Sequence, residues 1–301
     1  MKVGWSVRRG EEGYPESLTQ LQEPPAVLYG VGDCRALVEL EPAAAVTIVG
    51  ARRASDYGLR TAEELARDLA FAGFTVVSGM AYGIDAAAHR GALAGGGCTL
   101  AVLGGGPDVV YPPSNRGLYR QIAAAGAAVS EHRPGTETTK WSFPARNRIM
   151  AGLSCMTIVV EAAERSGTLI TAGDAIKLGR DVGAVPGQVG NRLSAGPHAL
   201  IKDGAVLIRG AQDVLDTMLG IGRTTVLRAG PPLEPELESV LDRVERGAAT
   251  PDAVAVEAGI APHDAAVALA RLELLGYVVA NGSGKYERTS LSPPDDSAIT
   301  R

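Results

Sequence analysis

Short apolar runs alternate with longer stretches of helical period through the first two thirds of the chain. Val46-Thr47-Ile48-Val49, Phe74-Thr75-Val76-Val77, Thr99-Leu100-Ala101-Val102-Leu103, Ala127-Ala128-Val129-Ser130, Met156-Thr157-Ile158-Val159-Val160 and Val182-Gly183-Ala184-Val185 are apolar almost throughout. Runs of this length and β-branched content predict strands buried on both faces. Helical pattern fills the gaps between them. Tyr57–Phe71 sets Leu65, Ala66 and Leu69 on one face and Glu63, Glu64, Arg67 and Asp68 outward, and helices are also predicted over Ile84–Leu93, Ser114–Ala125 and Ala172–Gly179. Strands alternating with helices imply an α/β fold, a mostly parallel sheet covered on both faces.

The flanks of this pattern differ from it. Residues 1–45 read as an irregular lead-in with a single strand near Val27–Tyr29. Beyond Thr225 the alternation stops and Pro231-Pro232 marks a linker. Three helical runs follow, Pro235–Glu245, Pro251–Ala258 and Pro262–Leu275. Tyr277–Val279 and Lys285–Arg288 then flank the turn Asn281-Gly282-Ser283-Gly284, and three helices with a hairpin predict a small C-terminal winged helix. The expected organisation is a lead-in over 1–45, an α/β domain over 46–222, a linker over 223–232, a winged-helix-like domain over 233–289 and a disordered tail over 290–301.

Charge changes the picture only once it is divided. The formal net charge is −5, which argues against a polyanionic partner, but residues 231–301 hold twelve acids against six bases. The acidity therefore belongs to the C-terminal module, and the α/β domain is free to carry a basic patch. No run approaches the roughly eighteen apolar residues of a membrane span, and the N-terminus lacks a signal-peptide core. Cys34, Cys98 and Cys155 are odd in number and far apart, which argues against a disulfide framework and a zinc site. The expected compartment is the cytoplasm, with no cofactor and no metal.

Chemistry gathers in the turns. Gly50–Arg52, Ser78–Gly83, Gly104–Gly106, Ser166–Thr168 and Pro186–Gly187 follow strands and are mostly small residues. Ligands in open α/β sheets bind at the carboxyl ends of the strands, where glycine permits close approach. The full GxGxxG fingerprint of a dinucleotide site is absent. Lys140, Arg146 and Arg148 fall in a stretch free of acids, with Trp141 and Phe143 between them. Cations interleaved with aromatics suit a single-stranded nucleic acid, whose phosphates meet the charges and whose bases stack on the rings. Ser166-Gly167-Thr168 leads into a helix and offers an anion-binding end. The plainer alternative is that Arg146 and Arg148 are solvated helix residues and Ser166 a cap. Asp85 and His89, four apart, read as a helix-face hydrogen bond rather than a catalytic pair, and neither Ser78 nor Ser166 lies in a GxSxG elbow.

In combination, Ile48-Val49-Gly50-Ala51-Arg52, Ser78–Asp85 with His89, Tyr111-Pro112, Ser130-Glu131, Phe143-Pro144-Ala145-Arg146-Asn147-Arg148, Ser166–Thr171 and Pro186-Gly187 resemble the DNA-processing protein A family (DprA, also called Smf) over about residues 14–288. The resemblance implies an extended Rossmann-like, doubly wound domain that binds single-stranded DNA in a basic pocket and forms a homodimer. It also implies a non-enzymatic role, loading the recombinase RecA on incoming strands in natural transformation. The family's DNA-contacting positions correspond to Arg52, Lys140, Phe143 and Arg146; Arg148, the turn residues Ser78, Gly79, Ser166, Gly167 and Thr168, and Arg180 correspond less closely. Two departures stand out: the front of the chain is too short for the helical domain many members carry, and Gly196-Pro197-His198 replaces the usual Gly-x-Asn near the dimerisation region. A competing reading is a nucleotide-processing enzyme similar to the cytokinin-activating phosphoribohydrolases. That family places a catalytic glutamate after its Gly-Thr helix start, whereas Leu169-Ile170-Thr171-Ala172-Gly173-Asp174 follows here.

Overall fold

Each of the six apolar runs forms a strand of one sheet. The structure is a computed structural model describing residues 4–221, 228–280, 285–288 and 291–292. Its strands are β1 (Trp5–Arg8), β2 (Val27–Gly32), β3 (Ala45–Val49), β4 (Thr75–Ser78), β5 (Thr99–Val102), β6 (Ala127–Ser130), β7 (Met156–Val159), β8 (Asp181–Ala184) and β9 (Val206–Leu207). They lie in the order β1-β2-β6-β5-β4-β3-β7-β8-β9, parallel from β6 to β9, with β2 antiparallel to β6 and β1 antiparallel to β2. The chain winds from β3 outward through β4, β5 and β6, then returns to lay β7 on the other side of β3. Reversal at that point leaves the loops after β3 and β7 diverging over a crevice, the switch point of a doubly wound sheet.

Helices α1 (Arg35–Val38), α2 (Asp56–Phe71), α3 (Ile84–Ala94), α4 (Arg116–Ala125), α5 (Ser142–Leu153), α6 (Thr168–Lys177), α7 (Ala195–Lys202) and α8 (Ala211–Leu219) belong to the same unit. Val46, Ile48, Val76, Leu100, Val129 and Ile158 have no exposed surface. Such double-sided burial is why these strands read as unbroken apolar runs. Helix α2 starts where Ser55 Oγ accepts from the Gly58 amide at 3.1 Å, and Glu161 at the end of β7 accepts from the Ser55 amide at 2.8 Å and its hydroxyl at 2.5 Å. The carboxylate thus sits on a helix N-terminus, where the backbone partial charge is positive. It also pins the loop after β7 to the loop after β3.

Several expectations are corrected. Residues 1–45 are not an irregular lead-in with one strand, because β1 and β2 extend the sheet along its antiparallel edge. Asp68, expected outward, is buried and paired with Arg67 at 3.0 Å. Helix α6 begins at Thr168 rather than Ala172.

Residues 226–301 form a second compact unit. It contains α9 (Pro235–Glu245), α10 (Pro251–Ala258), α11 (Pro262–Leu274), a parallel pair of β10 (Arg228–Ala229) with β13 (Leu291–Ser292), and an antiparallel pair of β11 (Val278–Ala280) with β12 (Tyr286–Arg288). Leu237, Val240, Leu241, Leu269, Leu272 and Tyr277 form its own core. Leu291 and Ser292, expected in a disordered tail, are thus strand-paired. The predicted turn Asn281–Gly284, residues 293–301 of the tail and residues 223–227 of the linker lie outside the described residues.

Candidate nucleic-acid interface

A pocket of about 560 Å³ opens at the switch point. Gly50 and Arg52 from the loop after β3, Lys140 and Phe143 from the start of α5, and Ser166, Gly167 and Thr168 from the start of α6 line it. Thr168 Oγ1 donates to Gly50 O at 3.1 Å across the switch, while Ser166 Oγ accepts from the Thr168 amide at 3.2 Å. The first bond ties the loop after β7 to the loop after β3, and the second shapes the turn into α6.

Arg52 is exposed, and its guanidinium carbon lies 4.7 Å from the centroid of the Phe143 ring. That is within range of a cation–π contact, so the half-buried ring orients the charge. Tyr111 packs on the same ring at 5.3 Å with a tilt of 47°. Lys140 is exposed beside it. Among the described residues neither Arg52 nor Lys140 forms an ion pair.

Arg146 differs from these two. It also lines the pocket, yet it is only 5% exposed. Its Nη1 donates to Val102 O, its Nη2 approaches Asp85 Oδ2 at 3.4 Å, and its Nε donates to Asn147 Oδ1 at 3.0 Å. Asn147 Nδ2 in turn donates to Gly167 O at 3.4 Å, which links the buried network to α6. Burial pushes the Asp85 carboxyl upward against the pull of Arg146, and it pushes the Arg146 guanidinium downward against the pull of Asp85. Desolvation and pairing oppose each other in both groups. Arg146 therefore neutralises the pocket's carboxylate and leaves Arg52 and Lys140 as its uncompensated charges.

The remaining candidates, Ser78, Gly79, Arg148 and Arg180, do not line the pocket. Ser78 is fully buried, and its Oγ donates to Ile48 O at 2.7 Å. Gly79 is buried too; a Cβ there would collide with the Arg146 guanidinium, so this glycine makes room for an arginine rather than for a ligand. Gly83, at φ +74°, brings the backbone against Ala51 and Arg52 in a conformation that glycine adopts readily. Arg148 holds Glu131 with a two-pronged ion pair at 2.8 and 2.7 Å and donates to Glu23 O, and it does not line the pocket. Arg180 precedes the amino end of β8, at the opposite edge of the sheet, and bonds Gln20 at 3.0 Å. His89 is buried with Nδ1 at 2.7 Å from Thr99 Oγ1, and burial together with the Arg146 charge brings its pKa down to about 3. It is a neutral core residue. Tyr111, Asn147 and Asp85 line the pocket without having been singled out as ligand contacts. For Tyr111 the signal was an aromatic before proline in a strand-end loop. Among the described residues no cluster of three or more His, Cys, Asp or Glu side chains could hold a metal, and no single helix is long and apolar enough to cross a membrane.

The profile of the DNA recombination-mediator protein A family matches residues 5–219 of the chain. The chain belongs to this family. Protein Smf of Synechocystis is 36% identical over 91% of the chain and 78% of its own length. A putative DNA processing protein DprA of Mycobacterium tuberculosis is 42% identical over 84% of the chain, which spans 66% of that relative's length. Among solved structures, DNA processing protein A of Streptococcus pneumoniae superposes with a TM-score of 0.66 at 40% identity, covering 71% of this chain and 74% of that one. The Helicobacter pylori protein, described for its single-stranded DNA binding mode, superposes at 0.64 with 31% identity, covering 72% and 95%. In this recombination-mediator family member the match spans the nine-stranded sheet and its pocket.

Proposed function

We propose that this chain binds single-stranded DNA in the switch-point pocket and delivers it to a RecA-class recombinase. The observation that carries the reading is the pairing of Arg52 with the Phe143 ring at 4.7 Å, beside Lys140, over a pocket whose carboxylate is held by Arg146. Two exposed cations meet phosphates, and the aromatic and guanidinium planes offer sequence-tolerant stacking surfaces. The start of α6 adds backbone dipole of the same sign. The Helicobacter pylori relative's single-stranded DNA binding supports carrying this ligand class across.

The test is equilibrium binding of oligo-dT across a salt series. Each phosphate contact adds about 0.7 to the log–log salt slope for single strands. Arg52→Ala and Lys140→Ala are each expected to weaken binding and flatten the slope by about that amount. Weakened binding with an unchanged slope would remove both residues from the phosphate path. Delivery is read separately, as faster RecA filament growth on oligonucleotides coated with single-strand-binding protein; no acceleration sinks that half of the proposal. The functional unit in this reading is a cytoplasmic homodimer, tested by sedimentation. We assign the second unit a winged-helix role in partner contact rather than DNA contact, because it carries the chain's excess of acids. Removing residues 231–301 is then expected to leave oligo-dT affinity largely intact.

A further inference from the structure

Aromatic residues make up only 4% of the chain, and where the exposed ones stand is not random. Among the described residues the exposed aromatics are Tyr57 at 45%, Tyr82 at 48%, Tyr111 at 40% and Trp141 at 84%. Each follows the carboxyl end of a different strand: Tyr57 after β3, Tyr82 after β4, Tyr111 after β5 and Trp141 after β6. Those strands are immediate neighbours in the sheet. The loop after β8, on the other side of the switch, exposes Val189 at 93% but no aromatic among the described residues. Core packing does not explain this edge, because an indole 84% exposed removes little apolar surface from water.

The four rings are not equivalent. Tyr57 is tied away from the edge, its hydroxyl donating to Pro186 O at 2.8 Å beyond β8. Tyr111 already packs on Phe143 in the pocket wall. Trp141 lies between Lys140 and Phe143 in sequence, and Tyr82 next to Ala81; Lys140, Phe143 and Ala81 all line the pocket. Trp141 and Tyr82 are thus exposed chain neighbours of pocket-lining residues without lining the pocket themselves. Gly104, just after β5, lies against Ser142 and Phe143, so the start of α5 that carries Trp141 stands over the end of β5, beside the β4 loop that carries Tyr82.

We infer that Trp141 and Tyr82 are stacking platforms for bases outside the pocket, so that a bound strand leaves it along the β4–β5–β6 edge rather than toward β7 and β8. This rests on the single-stranded DNA reading above and adds a direction and further base subsites to it. Stacking needs only a π-face, so the track tolerates any sequence and adds nothing to the salt slope.

Tryptophan fluorescence of the full chain tests the inference. The other tryptophan, Trp5, lies on the far antiparallel edge with its Nε1 donating to Gly32 O at 3.3 Å, so quenching by oligo-dT reports Trp141. Long oligo-dT is expected to quench the parent and not Trp141→Phe, which keeps a stacking ring and most of the affinity. Trp141→Ala and Tyr82→Ala are each expected to lose roughly tenfold in affinity for long oligo-dT, near the low end for one stacked base. Both should bind a dT trinucleotide as the parent does and keep the parent's salt slope. Parent fluorescence left unquenched by long oligo-dT, together with parental affinity in both alanine variants while Arg52→Ala binds weakly, overturns the track and leaves the pocket reading standing. Equal losses for short and long oligonucleotides place the rings in the pocket and also overturn it. Failure of the parent to bind oligo-dT at all overturns both.

Discussion

Arg146→Ala separates a phosphate contact from a buried structural cation. The side chains of Arg146 and Asp85 are each 6% exposed, so little solvent screens their interaction. Truncation would strand the Asp85 carboxylate and deprive Val102 O and Asn147 Oδ1 of their donor. Breaking a buried ion pair from one side costs about 3–5 kcal/mol, most of it the penalty of the charge left behind. For a domain of this size a kcal/mol moves Tm by about 2–4 °C, so the expected fall is about 6–20 °C. Circular dichroism melts give the shift, and oligo-dT binding well below the lowered midpoint gives the salt slope, expected to be unchanged. Asp85→Leu combined with Arg146→Met should recover most of the lost stability, because a buried pair is often replaceable by apolar residues of similar volume. A parental melting temperature together with a slope flattened by about 0.7 would refute the burial argument and return Arg146 to the phosphate path.

Three further outcomes follow from the same geometry. Gly79→Ala drives a Cβ into the Arg146 guanidinium and is expected to cost about 1–3 kcal/mol in a melt, whereas Gly167→Ala, with open space at its Cβ, should cost less. Phe143→Ala removes the ring under Arg52 and is expected to weaken oligo-dT binding; normal binding below an early melt would show the ring to be core only. His89 is protonated near pH 6.5 when unfolded but only near pH 3 when folded, so its contribution is complete above 6.5 and lost as pH falls below it. Between pH 6.5 and 5 that loss amounts to about 2 kcal/mol, and His89→Gln should flatten the parent's stability–pH profile there by about one proton. An identical slope in the variant would mean that His89 is not held neutral.

What the sequence could show was limited by distance along the chain. Strands β3 to β8 were legible because burial on both faces leaves uninterrupted apolar runs. Strand β1 was not, since Val7 is the buried residue of its four and Trp5 only half-buried, and β9 spans two residues. The cations of the central stretch were visible, but their partners were not. Asp85 lies 61 residues before Arg146, and Glu131 lies 17 before Arg148. Helix geometry carried a warning: residues two apart point about 200° away from each other, so Arg146 and Arg148 could not both face one pocket. Ser78 and Gly79 looked like ligand-side turn residues because any motif records contact and support alike. In this fold they hold the strand end and make room for Arg146.

Charge at the pocket follows from topology more than from composition. A doubly wound sheet opens its crevice where the chain reverses, and here the loop after β3 and the starts of α5 and α6 converge on that opening. Arg52 and Lys140 keep an uncompensated field at the mouth because the neighbouring acids are engaged elsewhere. Asp85 is held by Arg146, Glu131 by Arg148, and Glu161 by Ser55 at the start of α2. The two arginine pairs offset the charge of Asp85 and Glu131, while Glu161 keeps its charge but is held by neutral donors at the start of α2. A chain with a formal charge of −5 can present a cationic pocket on these terms, since a field acting within a Debye length of about 10 Å depends on the nearest charges. Glu131→Gln, at the edge of this arrangement, should loosen Arg148 without changing the oligo-dT salt slope. A slope steepened by about 0.7 would show that a released Arg148 can reach phosphate, and that its ion pair had been holding it from the strand.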